Sequence, residues 1–278
     1  MTNRLKKIID TVIGKKAKKI RKLEKYGIVF LPDNKIKTRE GLIFRIQGDV
    51  YDGTDIPVIR EVFCGQDYVF KNNINQKTIV IDMGMNVGIA SLYFASRENV
   101  TNVYSFEPFT PTYTRALENM KLNPDFAKKI RPFNFGLGKE NKTLEIPYCS
   151  EYSGDMSTTI DRLEHEEKYH DKTHVQEKVE IKKTSEVLSP IFDSLTNECV
   201  VLKIDTEGAE FEILESLDCE SLLEKVDFIM MEFHFRSPQP IEDILTKNGF
   251  IVIYRNLYNE SAQVGLMYAA NIRRKSYT

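Results

Sequence analysis

Two rhythms of apolar and polar positions divide the chain near Thr78. From there on, short β-branched runs alternate with stretches of helical periodicity, a pattern that builds a mainly parallel sheet with helices on both faces. Strands are expected near 78–82, 102–106, 130–136, 199–204, 225–232, 249–254 and 264–270. Helices are expected near 86–97, 110–122, 208–217 and 239–248, the second with Thr110 as N-cap and Pro111 at its first helical position. A hairpin of 142–148 and 177–182 flanks an insertion, 149–176, which is polar and without periodicity. The last two strands read as an antiparallel hairpin closing the sheet. The expected fold is therefore α/β, a doubly wound, mainly parallel seven-stranded sheet over residues 78–278. Ahead of it, Ile28 to Leu31 and Leu42 to Ile46 read as short strands and Ile56 to Phe63 as a short helix, together an N-terminal cap over 26–77.

Composition adds to this picture at the N-terminus. Residues 1–25 hold ten Lys/Arg against Asp10 and Glu24, although the whole chain of 278 residues carries a net charge of only −2. Leu5, Ile8, Ile9, Val12, Ile13, Ile20 and Leu23 recur there at helical spacing, giving a basic amphipathic helix. Such a helix can pack on the core with a solvated lysine face. It can also dock on an anionic membrane surface or a lipid-linked substrate, a peripheral contact. The near-neutral total speaks against general nucleic-acid binding. Four widely spaced cysteines with no Cys-x-x-Cys pair read as reduced packing residues of a cytoplasmic protein. No apolar run is long enough to span a membrane, and lysines interrupt any signal-peptide core.

Candidate chemistry begins at Thr78-Ile-Val-Ile-Asp-Met-Gly-Met-Asn-Val-Gly88, followed by Ser105-Phe-Glu-Pro108. Strand, glycine turn, helix and a second strand ending in an acid form a nucleotide-binding βαβ unit. Glycines let the backbone approach a ligand that a Cβ would exclude. Glu107 lies where a carboxylate can accept bonds from both ribose hydroxyls. A dinucleotide turn reads Gly-x-Gly-x-x-Gly, but here the pattern is Asp82-x-Gly84-x-Asn86-x-Gly88. A carboxylate at Asp82 opposes a pyrophosphate and suits an ammonium group reached through water, which favours S-adenosylmethionine (SAM) over NAD.

The second constellation is Cys199-Val-Val-Leu-Lys-Ile-Asp-Thr-Glu-Gly-Ala-Glu-Phe-Glu212. Alternation along this strand points Lys203 and Asp205 to one side. Asp205 and Glu207 fall at the carboxyl end of the strand, where doubly wound sheets bind ligands. A lysine within an apolar strand requires partners, and these carboxylates supply them. The next strand, Phe228-Ile-Met-Met-Glu-Phe-His-Phe235, brings Glu232 and His234 to the same edge. Histidine titrates near neutrality and suits a general base for a hydroxyl.

Taken together, Asp82-Met-Gly-Met-Asn-Val-Gly88, Phe106-Glu-Pro108, Leu202-Lys-Ile-Asp-Thr-Glu-Gly-Ala-Glu210 and Glu232-Phe-His234 resemble the FkbM family of SAM-dependent methyltransferases, over about Tyr68 to Phe250. The resemblance implies a class I methyltransferase fold and O-methylation of sugars or other secondary metabolites. It also implies that Asp82, Gly84, Asn86 and Gly88 contact the methionine side of SAM and that Glu107 binds the ribose. Met85 stands where the family usually has alanine, and is expected to tighten the methionine pocket. Phe135 and Gly136 would line the adenine by their position after the third strand.

The expected reaction is direct methyl transfer to a hydroxyl. Asp205, Glu207 and Lys203 are placed in the catalytic machinery, with His234 as base and Glu232 orienting it. Rival readings are N-methylation of protein or nucleic acid, a Mg²⁺-dependent transfer through Asp205 and Glu207, a noncatalytic SAM-binding scaffold, and an NAD-dependent oxidoreductase. The insertion carries His165, His170 and His174, and the spacing of His170 and His174 on one helix face admits a metal. A loop covering the substrate is the preferred reading, with no metal assigned and the oligomeric state open.

Overall fold

The computed structural model describes residues 20–48, 53–65, 68, 76–149, 156–158, 175–259 and 263–274. Most of the basic N-terminal segment and the three histidines of the insertion lie outside these residues.

A seven-stranded sheet organises the chain. Its interior strand β4 (Thr78–Met83) is buried at every position, and so is its neighbour, the central strand β10 (Cys199–Ile204). Unbroken apolar runs of this kind belong to parallel strands covered on both faces. On one side of β4 lie β5 (Val100–Phe106) and β6 (Ile130–Phe133). On the other lie β10, β11 (Phe228–Phe233), β13 (Val264–Asn271) and β12 (Phe250–Asn259), in the order β12-β13-β11-β10-β4-β5-β6. Only β13 runs against its neighbours, pairing antiparallel with both β11 and β12. The strand order reverses between β4 and β10, which is where a ligand crevice opens in such sheets.

Helices α2 (Ile89–Ala95) and α3 (Thr110–Lys121) contribute Leu92, Phe94, Ala116 and Met120 to the core on one face. Helices α4 (Thr184–Asp193), α5 (Glu210–Cys219) and α6 (Gln239–Lys247) cover the other through Leu188, Phe192, Leu214, Leu217, Ile241 and Leu245. Ahead of them, β1 (Val29–Leu31), β2 (Lys35–Lys37) and β3 (Ile43–Arg45) form a small antiparallel sheet, and α1 (Ile56–Arg60) runs into a wider helical turn at Glu61–Gly65. Asn119 and Asn123 bind this sheet to the core by accepting from the backbone N–H groups of Arg45 and Ile43. Arg115 pairs with the buried Asp55.

Several details differ from the sequence expectation. Helix α3 starts with Phe109 as N-cap, so Thr110 is its first helical residue. The expected strand 130–136 is two pieces. β6 stops at Phe133, and β7 (Gly136–Gly138) joins a separate sheet in which β9 (Val175–Lys183) lies between it and β8 (Lys142–Tyr148). Strand β11 begins at Phe228, three residues late, because Leu222–Lys225 is a tight helical turn. Helix α4 was not anticipated, since Pro190 within it hides the helical signal.

Candidate functional site

The crevice at the switch point is lined by Gly84, Asn86, Glu107, Pro108, Gly136, Asp205 and Glu207, with Met156 and Thr158 from the described part of the insertion. Its floor is the turn after β4, where the N–H groups of Gly84 and Met85 both donate to the carbonyl of Phe106 at the end of β5. Gly84 has φ of +85°, and a Cβ there would sit 1.8 Å from the carbonyl oxygen of Asp205. The turn can therefore lie against the loop after β10 only because this position carries no side chain. Asn86 also takes a left-handed φ, of 51°. Its Oδ1 is buried with no hydrogen-bond partner among the described residues, an acceptor awaiting a donor from a ligand.

Glu107 is buried at the end of β5 and accepts from the backbone N–H groups of Asn86 (2.9 Å) and Phe109 (3.0 Å). Burial pushes its carboxyl up to about 7, against those two backbone bonds. Two carboxylate oxygens offer about four acceptor sites, so two bonds leave capacity for a pair of hydroxyls.

Asp82 is not on the crevice surface. Its side chain is fully buried, 3.2 Å from Lys203 Nζ, and it accepts a hydrogen bond from Ser91 Oγ. The expectation that Asp82 meets an ammonium group from the crevice is thus corrected: its charge is spent on Lys203. Burial raises the carboxyl of Asp82, opposed by Lys203. Burial alone would lower Lys203, but Asp82 and Asp205 outweigh it and hold the ammonium charged. Lys203 also donates to the carbonyl of Gly84, clamping the turn from below. It is a positioning residue. Met85 and Gly88 likewise stand behind the crevice, Met85 packed in the core and Gly88 allowing α2 to approach Ala116 of α3. Phe135 turns away to pack with Phe106 and Phe133 under the ammonium of Lys182, so of the expected adenine pair only Gly136 faces the crevice.

The opposite wall is the loop after β10. Asp205 lies 3.5 Å from Lys203 Nζ and accepts from the Tyr68 hydroxyl at 3.1 Å. Glu207 stands at a φ of 54°, unfavourable for a non-glycine residue, which marks a position held by its surroundings. The buried Glu210 at the start of α5 holds them: it accepts from the N–H and hydroxyl of Thr206, from the N–H of Gly208 and from His234 Nδ1. Neither Glu210 nor Tyr68 was singled out from sequence. Thr206 four residues before Glu210 is a local signal for the first, whereas Tyr68 arrives from 137 residues away.

His234 is buried with Nδ1 on Glu210, and its Nε2 lies 3.5 Å from Glu207 and 3.7 Å from Glu232. Burial disfavours its imidazolium, but the Glu210 bond and the charges of Glu207, Glu210 and Asp205 overcome that and push it up to about 10. An imidazole held toward its protonated form in this way has no lone pair with which to take a proton, which argues against the expected role of His234 as base. Burial and the nearby Asp205 push Glu232 up to about 9. The ligand atoms of Asp205, Glu207 and His234 come within 4.8 Å of one another, a spacing that suits a cation, whose binding would displace the imidazolium proton.

Comparison with known proteins completes the description. Residues 82–252, more than half of the chain, match the family described as the methyltransferase FkbM domain. "Methyltransferase 1" of Beauveria bassiana is 26% identical over 148 residues, covering 51% of this chain and 59% of that protein. "Methyltransferase sdnD" of Sordaria araneosa is 27% identical over 180 residues, covering 58% and 68%. The chain thus spans about three fifths of the first relative and two thirds of the second. A crystal structure of a methyltransferase FkbM from Methylobacillus flagellatus matches at a TM-score of 0.44 and 16% identity, over 72% of this chain and 45% of that one.

Proposed function

The chain belongs to the FkbM methyltransferase family, and from that premise we propose that it transfers a methyl group from SAM to a hydroxyl of a sugar or other secondary metabolite. The observation that carries the reading is the pairing of Glu107 with Asp205 and Glu207 across one crevice at the switch point of the sheet. A ribose-binding acid stands on one wall and acceptor-facing acids on the other.

The fit of SAM rests on this chain's own groups. Asn86 Oδ1 offers a buried acceptor without a partner among the described residues, and Glu107 keeps lone pairs for the ribose hydroxyls. Bound there, SAM supplies an electrophilic methyl group on a sulfonium. The protein's work is alignment: holding an acceptor oxygen in line and excluding water. Glu207 takes the hydroxyl proton. A carboxylate is a weak base toward a free alcohol, but that proton becomes strongly acidic as the oxygen is alkylated. The His234 imidazolium and Glu210 keep Glu207 in place, and Asp205, tied to Lys203 and Tyr68, orients the acceptor. No metal takes part in this scheme.

The test is incubation with SAM tritiated in the methyl group and pools of hydroxyl-bearing metabolites. Label joined to oxygen, with an equal amount of S-adenosylhomocysteine, is the expected result. Label found only on amines would replace the reading with N-methylation.

A further inference from the structure

One peptide group in the crevice wall is held from both sides. It joins Glu207 to Gly208 in the loop between β10 and α5. Its carbonyl accepts from the hydroxyl of Ser157, and its N–H donates to both carboxylate oxygens of Glu210, each at 3.1 Å. Ser157 and Glu210 are both fully buried. Glu210 stands two residues beyond the peptide, whereas Ser157 comes from the insertion, 50 residues earlier in the chain.

The backbone at this point depends on such a hold. Glu207 takes a left-handed φ of 54°, which a non-glycine residue keeps only where its surroundings enforce it. Gly208, at a φ of 117°, has no Cβ to hinder rotation of the peptide. Released, Glu207 can relax toward a negative φ. That movement turns its Cα–Cβ bond and carries its carboxylate from its place on the crevice wall.

The part of the insertion that bears Ser157 is itself anchored. Met156 is buried in the small core of the β7-β9-β8 sheet, with Phe109, Tyr148, Val179 and Ile181. Met156 and Thr158 also line the crevice, together with Pro108, Phe109 and Gly136. Three consecutive residues thus follow the crevice, the outer two lining it and the middle one bound to the backbone of the wall after β10.

We propose that Ser157 is a positioning residue for methyl transfer, its hydroxyl fixing the Glu207 backbone so that the carboxylate stands where the acceptor releases its proton. The proposal rests on the reading of Glu207 as proton acceptor and adds that the insertion sets its place. As the acceptor oxygen bonds to the methyl carbon and the carbon–sulfur bond breaks, the oxygen's proton passes to Glu207 and the sulfonium becomes a neutral thioether. Displacing a reacting group by about 1 Å can lower a rate on the order of a hundredfold. Glu107 keeps its place through the N–H groups of Asn86 and Phe109, so losing the Ser157 hydroxyl should slow transfer and spare cofactor affinity.

The test is Ser157→Ala in the full chain, read in three ways. Amide hydrogen exchange at Gly208, followed by NMR, should be at least ten times faster than in the native chain. Label transfer to oxygen, from methyl-tritiated SAM to pools of hydroxyl-bearing metabolites, should slow at least tenfold, with S-adenosylhomocysteine affinity within twofold of native by calorimetry. In a Glu207→Gln background, Ser157→Ala should change that rate less than twofold, because a residue acting through Glu207 then has no base to position. Unchanged exchange at Gly208, an unchanged rate, an equal loss in both backgrounds, or an affinity that falls as far as the rate would overturn the proposal and leave the methyltransferase reading standing. A native rate in Glu207→Gln would remove Glu207 as proton acceptor, and the role of Ser157 with it. A native chain that transfers no label would overturn the methyl-transfer reading itself, and the proposal with it.

Discussion

Lys203 of β10 reaches across the centre of the sheet to Asp82 of β4, its Nζ 3.2 Å from the carboxylate, with both side chains shut away from water. The two residues are also direct register partners in the parallel ladder. One ion pair therefore joins the glycine-turn motif to the acidic loop that forms the opposite wall. Removing one member leaves a buried charge uncompensated, which costs about 3–5 kcal/mol. Lys203→Met should lower stability by that order in urea denaturation, and the double variant Asp82→Leu, Lys203→Met should recover part of the loss. An additive double variant would mean that the pair is not coupled.

Gly84 makes a sharper prediction. The Asp205 carbonyl occupies the space a Cβ would need, and the left-handed φ adds strain. Gly84→Ala should push the two walls apart and abolish SAM binding in calorimetry. Native affinity in that variant would show that the crevice at the turn is not the cofactor site.

Glu107 sets a pH dependence. A ribose pair is best held by the ionised carboxylate, and the group titrates at about 7 in the free protein. Its ionised form is present above that value and lost below it. S-adenosylhomocysteine affinity should fall about tenfold between about pH 8 and about pH 6, following the ionised fraction. Glu107→Gln should bind weakly with a flat profile. A steep profile in the variant would assign the titration to another group.

His234 should stay protonated through neutrality, its imidazole resonances titrating only toward about pH 10. For the fold the sign follows from the raised value. The imidazolium's contribution to stability is complete below the usual histidine range and fades as pH rises through about 10. An NMR titration midpoint near 6 to 7 that coincides with the rising limb of turnover would restore His234 as base.

In the proposed scheme Glu207 takes the hydroxyl proton without a metal, so activity should survive exhaustive treatment with EDTA. Loss on chelation and recovery with Mg²⁺ would instead make Asp205, Glu207 and His234 a cation site.

Much of this was legible from local pattern. The buried runs 78–83 and 199–204, their glycine turns and the acid at Glu107 are contiguous signals, and each marks a strand end that the doubly wound topology brings to one edge. What the pattern could not distinguish is which side chains face the crevice and which stand behind it. Asp82 and Lys203 read as ligand groups because the sequence records their charge but not the ion pair that absorbs it. His234 read as a base because its usual titration range is neutral, and the carboxylates that change this, Glu210, Glu207 and Asp205, come from the neighbouring segment after β10. Tyr68 carried no motif at all.

The central claim is that the crevice at the β4–β10 switch point binds SAM for methyl transfer. Calorimetric titration of the purified chain with SAM, S-adenosylhomocysteine and NAD, side by side, tests it most directly. Micromolar binding of the first two, weakened by Glu107→Gln, with no heat from NAD, is the predicted result. Binding of NAD, or none of SAM and S-adenosylhomocysteine, would contradict it.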